Sequence, residues 1–321
     1  MSKHVSVLLH ETIDGLNVKP NGTYVDLTLG RGGHSKEILK KLDNGLLVAF
    51  DKDETAINES RQNLHGFEGN FTLILDDFRN FKSHLDQMGI TEVDGLMADL
   101  GVSSPQFDDP TRGFSYKENA RLDMRMDKRQ KLSAYEVVNT YSLNDLTRIF
   151  REYGEDKYSY QIANKIVKTR VNSPIETTTQ LVEIIKSCKP QKELMKKGHP
   201  AKQIFQAIRI EVNDELGALK DALTDALKVL KVGGRAAFIT FHSLEDRLVK
   251  NAFNEVSKVE GTRHNVFSLP SEDDLPKYRL VNNRVILPSD KEMEENPRSK
   301  SAKLRIIEKV RWAISCLKMK M

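Results

Sequence analysis

VDLTLGRGGHS, residues 25–35, decides how this 321-residue chain is read. An apolar run that opens at Thr23 breaks at Gly30 into a loop with three glycines. HSKEILKKL follows, with Ile38, Leu39 and Leu42 at helical spacing. A strand that passes through glycines into a helix start lets a ligand come close to backbone N–H groups. Outward from that loop, GLLVAFD (45–51), FTLILDDF (71–78) and VDGLMADLG (93–101) are further strand candidates, separated by amphipathic stretches such as DETAINESRQNL. Nearly continuous apolar strands alternating with helices predict an α/β fold, a Rossmann-like doubly wound sheet covered on both faces.

The rhythm then changes. Residues 107–130 are polar, and from Ser133 to about Asn213 the apolar spacing is helical, as in Leu146, Ile149 and Phe150 or Leu181, Ile184 and Ile185. Pro174, Pro190 and Pro200 punctuate it. The α/β pattern resumes with ELGALKDALTDALKVL (215–230), a helix stopped by Gly233-Gly234, and RAAFITF (235–241), a buried strand. HSLEDRLVKNAF reads as the next helix, YRLVNNRVIL and KLRIIEKV as late strands. The expected organisation is one catalytic domain, 1–108 with 213–321, interrupted by a helical insertion at 109–212.

No apolar run approaches the roughly 20 residues of a membrane span. The start, MSKHVSVLLHETIDGL, lacks the pattern of a secretion signal, so a cytoplasmic location is expected. Cys188 and Cys316 are the only cysteines, too few and too scattered for a disulfide framework, a structural zinc or an iron–sulfur cluster; no metal is expected. The formal charge of +4 is unevenly spread: residues 1–108 carry 10 basic and 17 acidic side chains, residues 109–212 carry 20 and 13. An acidic first third followed by basic segments points those segments towards a polyanion.

The glycine loop fails the dinucleotide fingerprint G-x-G-x-x-G, because Ser35 stands where the third glycine belongs. Asp51, 21 residues beyond Gly30, ends the next strand and can accept from a ribose diol. Phe78 can lie against an adenine, Asp77 can accept from its amine, and Asp99 ends the fourth strand. Singly, each also reads as a turn, a cap or a core residue. Together they indicate a nucleoside cofactor, and the missing glycine favours S-adenosyl-L-methionine, which has no pyrophosphate, over NAD.

GRGGHS (30–35), DLGVSSPQ (99–106), RGFS (112–115), LDMRMD (122–127), FQAIRIEVNDEL (205–216), FHSLEDR (241–247) and NPRSKSAKLR (296–305) occur in order. With HVSVLLHETIDGL near the start, the chain resembles over nearly its whole length the bacterial 16S ribosomal RNA cytosine-N4 methyltransferases, the MraW or RsmH family. The resemblance implies a class I S-adenosylmethionine-dependent methyltransferase fold with an inserted helical domain that recognises RNA. It implies methylation of the exocyclic N4 of one cytidine in the decoding centre of 16S rRNA. It also implies cofactor contacts by Gly32, Gly33, His34, Asp51, Phe78, Asp99 and Gln106; Asp77 is suggested only by its place. Two positions depart from the usual pattern: Arg121 stands where proline is usual, and Lys300 where arginine is common.

Methyl transfer to N4 is an in-line displacement by an amine whose lone pair is delocalised into the ring, so alignment carries much of the rate. Asp99, Ser103 and Ser104 are candidate acceptors around that amine. His242 is either a second contact or the cap of the following helix, and the identity of any proton acceptor stays open. Methylation at cytosine C5 normally needs a thiolate that neither cysteine supplies, and radical chemistry needs three clustered cysteines. Arg112, Arg121, Arg125, Lys128 and Arg129, with Arg298, Lys300, Lys303 and Arg305 later, are the candidate RNA-holding cations. Other RNA base methylation, or a non-catalytic nucleoside-binding RNA scaffold, remains the alternative, and monomer and homodimer stay open.

Overall fold

The computed structural model describes residues 6–258 and 275–311. The chain divides into two compact units, Met1–Gly101 with Gly217–Met321, and Val102–Leu216. Cys316 lies outside the described residues.

The first unit is built on a seven-stranded sheet in the order β3-β2-β1-β4-β5-β7-β6. The strands are β1 (Thr23–Asp26), β2 (Leu46–Asp51), β3 (Phe71–Leu75), β4 (Val93–Asp99), β5 (Leu230–Thr240), β6 (Tyr278–Leu280) and β7 (Lys303–Lys309). β1 to β5 pair in parallel, whereas β7 runs antiparallel between β5 and β6. The strands are apolar in both parities because both faces are covered. Val48, Phe50, Leu96, Ala98 and Phe238 point to one core, and Leu47, Ala49, Met97, Ala237 and Ile239 to another. Helices α1 (Leu9–Leu16), α2 (Gly33–Leu39) and α3 (Glu54–Asn63) supply Ile13, Ile38 and Ile57 to the second core. On the other face, α4 (Phe81–Gln87) supplies Phe81 and Leu85 to the first core.

The chain winds outward from β1 to β3, then crosses to β4 on the other side of β1. This reversal opens a crevice beyond the carboxyl ends of β1 and β4, where doubly wound sheets bind ligands. The doubly wound expectation holds, with two local differences. β5 begins at Leu230 rather than Arg235, running through Gly233 at φ +81° with a register shift opposite Val93 and Gly95. YRLVNNRVIL is not one strand: β6 ends at Leu280, and Ile286 makes an isolated bridge to Leu304.

The second unit is helical: α5 (Ser104–Asp108), α6 (Ala134–Thr140), α7 (Leu143–Glu152), α8 (Ser159–Arg170), α9 (Thr178–Ser187), α10 (Gln191–Leu194) and α11 (Lys202–Asn213). Leu146, Ile149, Phe150, Ile162, Ile166, Leu181 and Ile185 form its core, the residues whose spacing predicts these helices. Leu122, Met124 and Met126 join that core from the polar stretch before α6. The unit runs from Val102 to Leu216, wider than 109–212 at both ends, and Asn213 is tied into it. Asn213 Oδ1 accepts from the Met126 N–H at 2.8 Å, and its Nδ2 donates to the Met124 carbonyl at 2.8 Å. That clasp holds Met124 at φ +59°, a conformation unfavourable to a residue with a side chain. Beyond this unit, α12 (Glu215–Val229) buries Leu219, Leu223 and Val229 and α13 (Ser243–Ser257) buries Val249 and Phe253 against the sheet, while α14 (Asp290–Glu295) precedes β7.

Candidate cofactor site

Asp26 ends β1, and its Oδ1 accepts from the Thr28 N–H at 3.0 Å, turning the chain out of the strand. Gly30 and Gly32 then take φ of +52° and +75°, the left-handed region where glycine alone is unstrained. Three side chains hold this loop. Asp51 Oδ2 accepts from the Gly30 N–H at 2.9 Å, Ser60 Oγ donates to the Gly30 carbonyl at 2.7 Å, and Asn63 Nδ2 donates to the Arg31 carbonyl at 3.1 Å. α2 begins at Gly33, directly behind the loop.

Ser35, the residue that breaks the dinucleotide fingerprint, is fully buried and donates its hydroxyl to Asp26 Oδ2 at 2.7 Å. Burial pushes Asp26 up to about 6, although the Ser35 and Thr28 hydrogen bonds oppose the shift. A glycine at position 35 would leave that carboxyl with one protein donor fewer. The signal for this role in the sequence is an acidic residue inside an apolar run.

Asp51 occupies the expected place at the end of β2 but also has structural work. Its two oxygens accept backbone N–H groups of Gly30 and Asp53, both at 2.9 Å. An ionised carboxyl offers about four acceptor positions, so capacity for a diol remains. Burial raises its pKa to about 6, against the two hydrogen bonds, with the charges of Asp53 and Asp26 adding to the rise.

His34 is buried at the start of α2, where Nε2 donates to the Val7 carbonyl at 3.1 Å. That bond puts a proton on Nε2, and Nδ1 lies 3.9 Å from Asp99 Oδ2. The segment Ser6–Leu8 therefore lies against the loop. A side chain on Gly33 would place its Cβ 2.0 Å from Ser6 Oγ. Leu8 is held at φ +50°, its N–H donating to Glu292 Oε1 at 2.8 Å. HVSVLLHETIDGL carries no local signal for this strap, because leucine does not favour a left-handed conformation.

Asp99 ends β4, and its backbone N–H donates to Thr28 Oγ1 at 2.6 Å, joining the two sides of the crevice. Its Oδ1 is buried and has no hydrogen-bond partner among the described residues, whereas its side chain as a whole is 24% exposed. Burial drives its pKa well above the usual carboxyl range, with the charges of Asp26, Glu245 and Glu292 adding to the effect.

Phe78 opens a short 3-10 turn after β3 and packs half-buried against the sheet core. Asp77 caps that turn, accepting from the Arg79 N–H at 3.0 Å, with the Lys52 ammonium 3.4 Å from Oδ2. Both its oxygens are thus engaged. Gly32, Gly33, His34, Asp51, Phe78 and Asp99 all stand at the carboxyl edge of β1 to β4. Gln106 belongs to the helical unit, where it is buried and forms a capping box with Ser103. His242 caps α13, as one of its two readings expects, with Nδ1 accepting from the Glu245 N–H at 3.4 Å.

The expected arginine cluster is largely committed to the protein itself. Arg112 is buried, donating from Nη2 to the carbonyls of Arg125 and Met126 at 2.9 and 3.0 Å, so it is scaffold rather than an RNA contact. Arg125 forms a two-pronged pair with Asp123 at 2.9 and 2.8 Å, and Arg129 one with Asp127 at 2.8 Å. In the sheet unit, Lys303 and Arg305 both grip Asp246, at 3.1 and 2.7 Å. Charge counting registers cations without showing which already hold a carboxylate.

Comparison with known proteins bears on this geometry. The model of the MraW methylase family matches residues 1–310. The ribosomal RNA small subunit methyltransferase H of Streptococcus pyogenes serotype M4 is 55% identical over 311 residues, 96% of this chain and 98% of that protein. Among solved structures, an rRNA methylase from Streptococcus thermophilus is similar at a TM-score of 0.42 and 14% identity, over 96% of this chain and 99% of that one. A SAM-dependent O-methyltransferase from Thermotoga maritima gives a TM-score of 0.40 at 11% identity, over 98% and 69%.

Proposed function

We propose, from the premise that this chain belongs to the MraW methylase family, that it transfers a methyl group from S-adenosyl-L-methionine to the exocyclic N4 of a cytidine in the decoding centre of 16S rRNA. The observation that carries this reading is the family match over nearly the whole chain, 55% identity to a small-subunit rRNA methyltransferase included. The RNA belongs to the small ribosomal subunit, which also makes the cytoplasm the natural location. No helix among the described residues is long and apolar enough to cross a membrane.

The residues of the first unit suit the cofactor. The left-handed glycine loop offers backbone where side chains would obstruct, and the partnerless Asp99 oxygen suits a positive charge. Gly32, Gly33 and His34 would hold the chain of the cofactor, Asp51 its ribose, Phe78 its base and Asp99 its charged end. When bound, the cofactor supplies an electrophilic methyl on a sulfonium.

The protein's contribution is mainly alignment. A neutral amine that gains a methyl becomes a cation and sheds a proton readily, so no strong base is demanded, and precise placement dominates the rate. His242 Nδ1 and the Ser103 hydroxyl serve as helix caps. His242 Nε2 is buried without a hydrogen-bond partner among the described residues, and the chemistry demands neither residue as a strong base. Calorimetry tests the cofactor half of this reading. S-adenosylhomocysteine should bind, NAD should give no heat, and Asp51→Ala should weaken the first by tenfold or more. Equal binding by the variant would remove Asp51 from the site.

A further inference from the structure

The helical unit carries its positive charge in one place. Residues 157–202 hold ten Lys/Arg and three Asp/Glu, whereas the rest of 102–216 holds ten and thirteen. The excess therefore lies on α8, α9, α10 and the turns that join them. This is not the segment in which the arginines of 112–129 cluster.

On α8 the division between faces is clean. Ser159, Ile162, Ala163 and Ile166 are buried in the core. Lys157 just before the helix, then Gln161, Lys165 and Lys168, are exposed and spaced three or four residues apart along one stripe, with exposed Tyr160 beside Gln161. From Tyr160 to Lys168 this exposed surface runs about 12 Å at the rise of an α-helix. Tyr160 is 54% exposed, so its ring is accessible from solvent.

The neighbouring elements add to the same patch. Cys188 at the end of α9 donates from its thiol to the Gln161 carbonyl at 3.6 Å, and Lys165 acts on that thiol electrostatically. Glu193 of α10 is influenced by Lys157, Lys189 and Lys196. Several cations here already hold carboxylates: Lys189 with Asp156, Lys186 with Glu183, Lys196 with Glu193. Lys157, Lys165, Lys168, Lys192 and Lys197 hold none in an ion pair among the described residues, in contrast to Arg125 and Arg129.

We propose that this α8–α10 surface is where the ribosomal RNA docks: Lys157, Lys165 and Lys168 on its phosphates and Tyr160 against an unpaired base. The proposal rests on the reading of the protein as an rRNA methyltransferase and assigns the surface that holds the substrate. Unpaired ammonium groups release condensed counterions on meeting a phosphate backbone, while lysines already in ion pairs must first give up a partner. A tyrosine flanked by lysines suits single-stranded RNA, whose bases are free to stack.

The test uses the full-length protein and a synthetic hairpin of the 16S decoding region, with binding followed by fluorescence anisotropy from 50 to 300 mM salt. The variant K157Q/K165Q/K168Q should bind at least tenfold more weakly at low salt, and the slope of log affinity against log salt should fall by about 2–3. Tyr160→Ala should lose several-fold where Tyr160→Phe retains affinity. K36Q/K40Q/K41Q, which removes the same charge from the sheet unit, should leave the slope nearly unchanged. S-adenosylhomocysteine binding and thermal melting should match wild type in every variant. If the α8 variant keeps wild-type slope and affinity, the proposal is overturned. It is equally overturned if RNA binding persists and only methylation of assembled subunits is lost, since an acidic protein would then be the occupant. Failure of the wild-type protein to methylate any RNA would instead count against the functional reading, whatever the hairpin results.

Discussion

Asp99 makes the sharpest demand on the cofactor site. In the free protein, burial and the negative charges of Asp26, Glu245 and Glu292 hold its pKa well above the usual range, and Oδ1 has no donor. S-adenosylhomocysteine keeps the ammonium of its amino-acid end, and that cation prefers the ionised carboxyl. Below the pKa of Asp99, binding must therefore expel one proton, and affinity should fall tenfold, about 1.4 kcal/mol, for each unit of pH lowered. Above that pKa the profile should be flat until the ligand amine itself titrates. Calorimetry in two buffers of different ionisation enthalpy should count close to one proton released in the sloping range. Asp99→Asn keeps the shape of the side chain and removes its charge. It should flatten the profile and weaken binding by about 1.5–3 kcal/mol, the worth of a hydrogen bond to a charged group, or roughly 10- to 150-fold. Asp51, raised to about 6, titrates nearby but faces neutral hydroxyls, so Asp51→Asn should leave the slope in place. A profile that survives in Asp99→Asn, or affinity that rises as pH falls, would refute the assignment.

Other consequences concern the frame around the site. Asp26, buried and raised from 3.8 to about 6, favours folding only while protonated. That contribution is complete below about pH 4 and is lost as pH rises through 6, at a cost of about 3 kcal/mol. Asp26→Asn still accepts from Thr28, so urea unfolding should find it about 2–3 kcal/mol more stable at pH 8, with the gain vanishing near pH 4. Asn213→Ala removes bonds to Met126, Met124 and Arg209 at 2.8, 2.8 and 2.9 Å inside the helical core. A loss of about 2–4 kcal/mol in unfolding free energy should follow, given the buried groups left without partners. Glu292→Ala frees Leu8 and the strap that holds His34, so S-adenosylhomocysteine should bind several-fold more weakly. Glu292→Gln keeps the acceptor and removes a negative neighbour of Asp99, which should retain affinity and move the binding profile to lower pH.

The strands of the sheet were legible because parallel strands buried on both faces must be apolar throughout, which marks GLLVAFD and VDGLMADLG against their surroundings. Asp51 and Asp99 stood out for the same reason, as charges where an apolar run stops. What escaped the sequence depends on distant partners. The antiparallel place of β7 between β5 and β6 has no local signature, and neither does the hydrogen bond from Leu8 to Glu292, 284 residues away. Arg112 looks like a surface cation until its guanidinium is seen serving the carbonyls of the loop beside it. Asp77, read as a partner for adenine, caps the turn that carries Phe78. The lysine stripe of α8 was visible only as net charge, since its meaning needs the burial of the opposite face.

The most direct measurement presents the protein with small ribosomal subunits lacking the modification and a methyl-labelled donor, then digests the RNA to nucleosides for mass analysis. The label should appear as N4-methylcytidine from a single site in 16S rRNA. Label on a cytosine C5, on a ribose or on protein, or an RNA left unlabelled, would contradict the account.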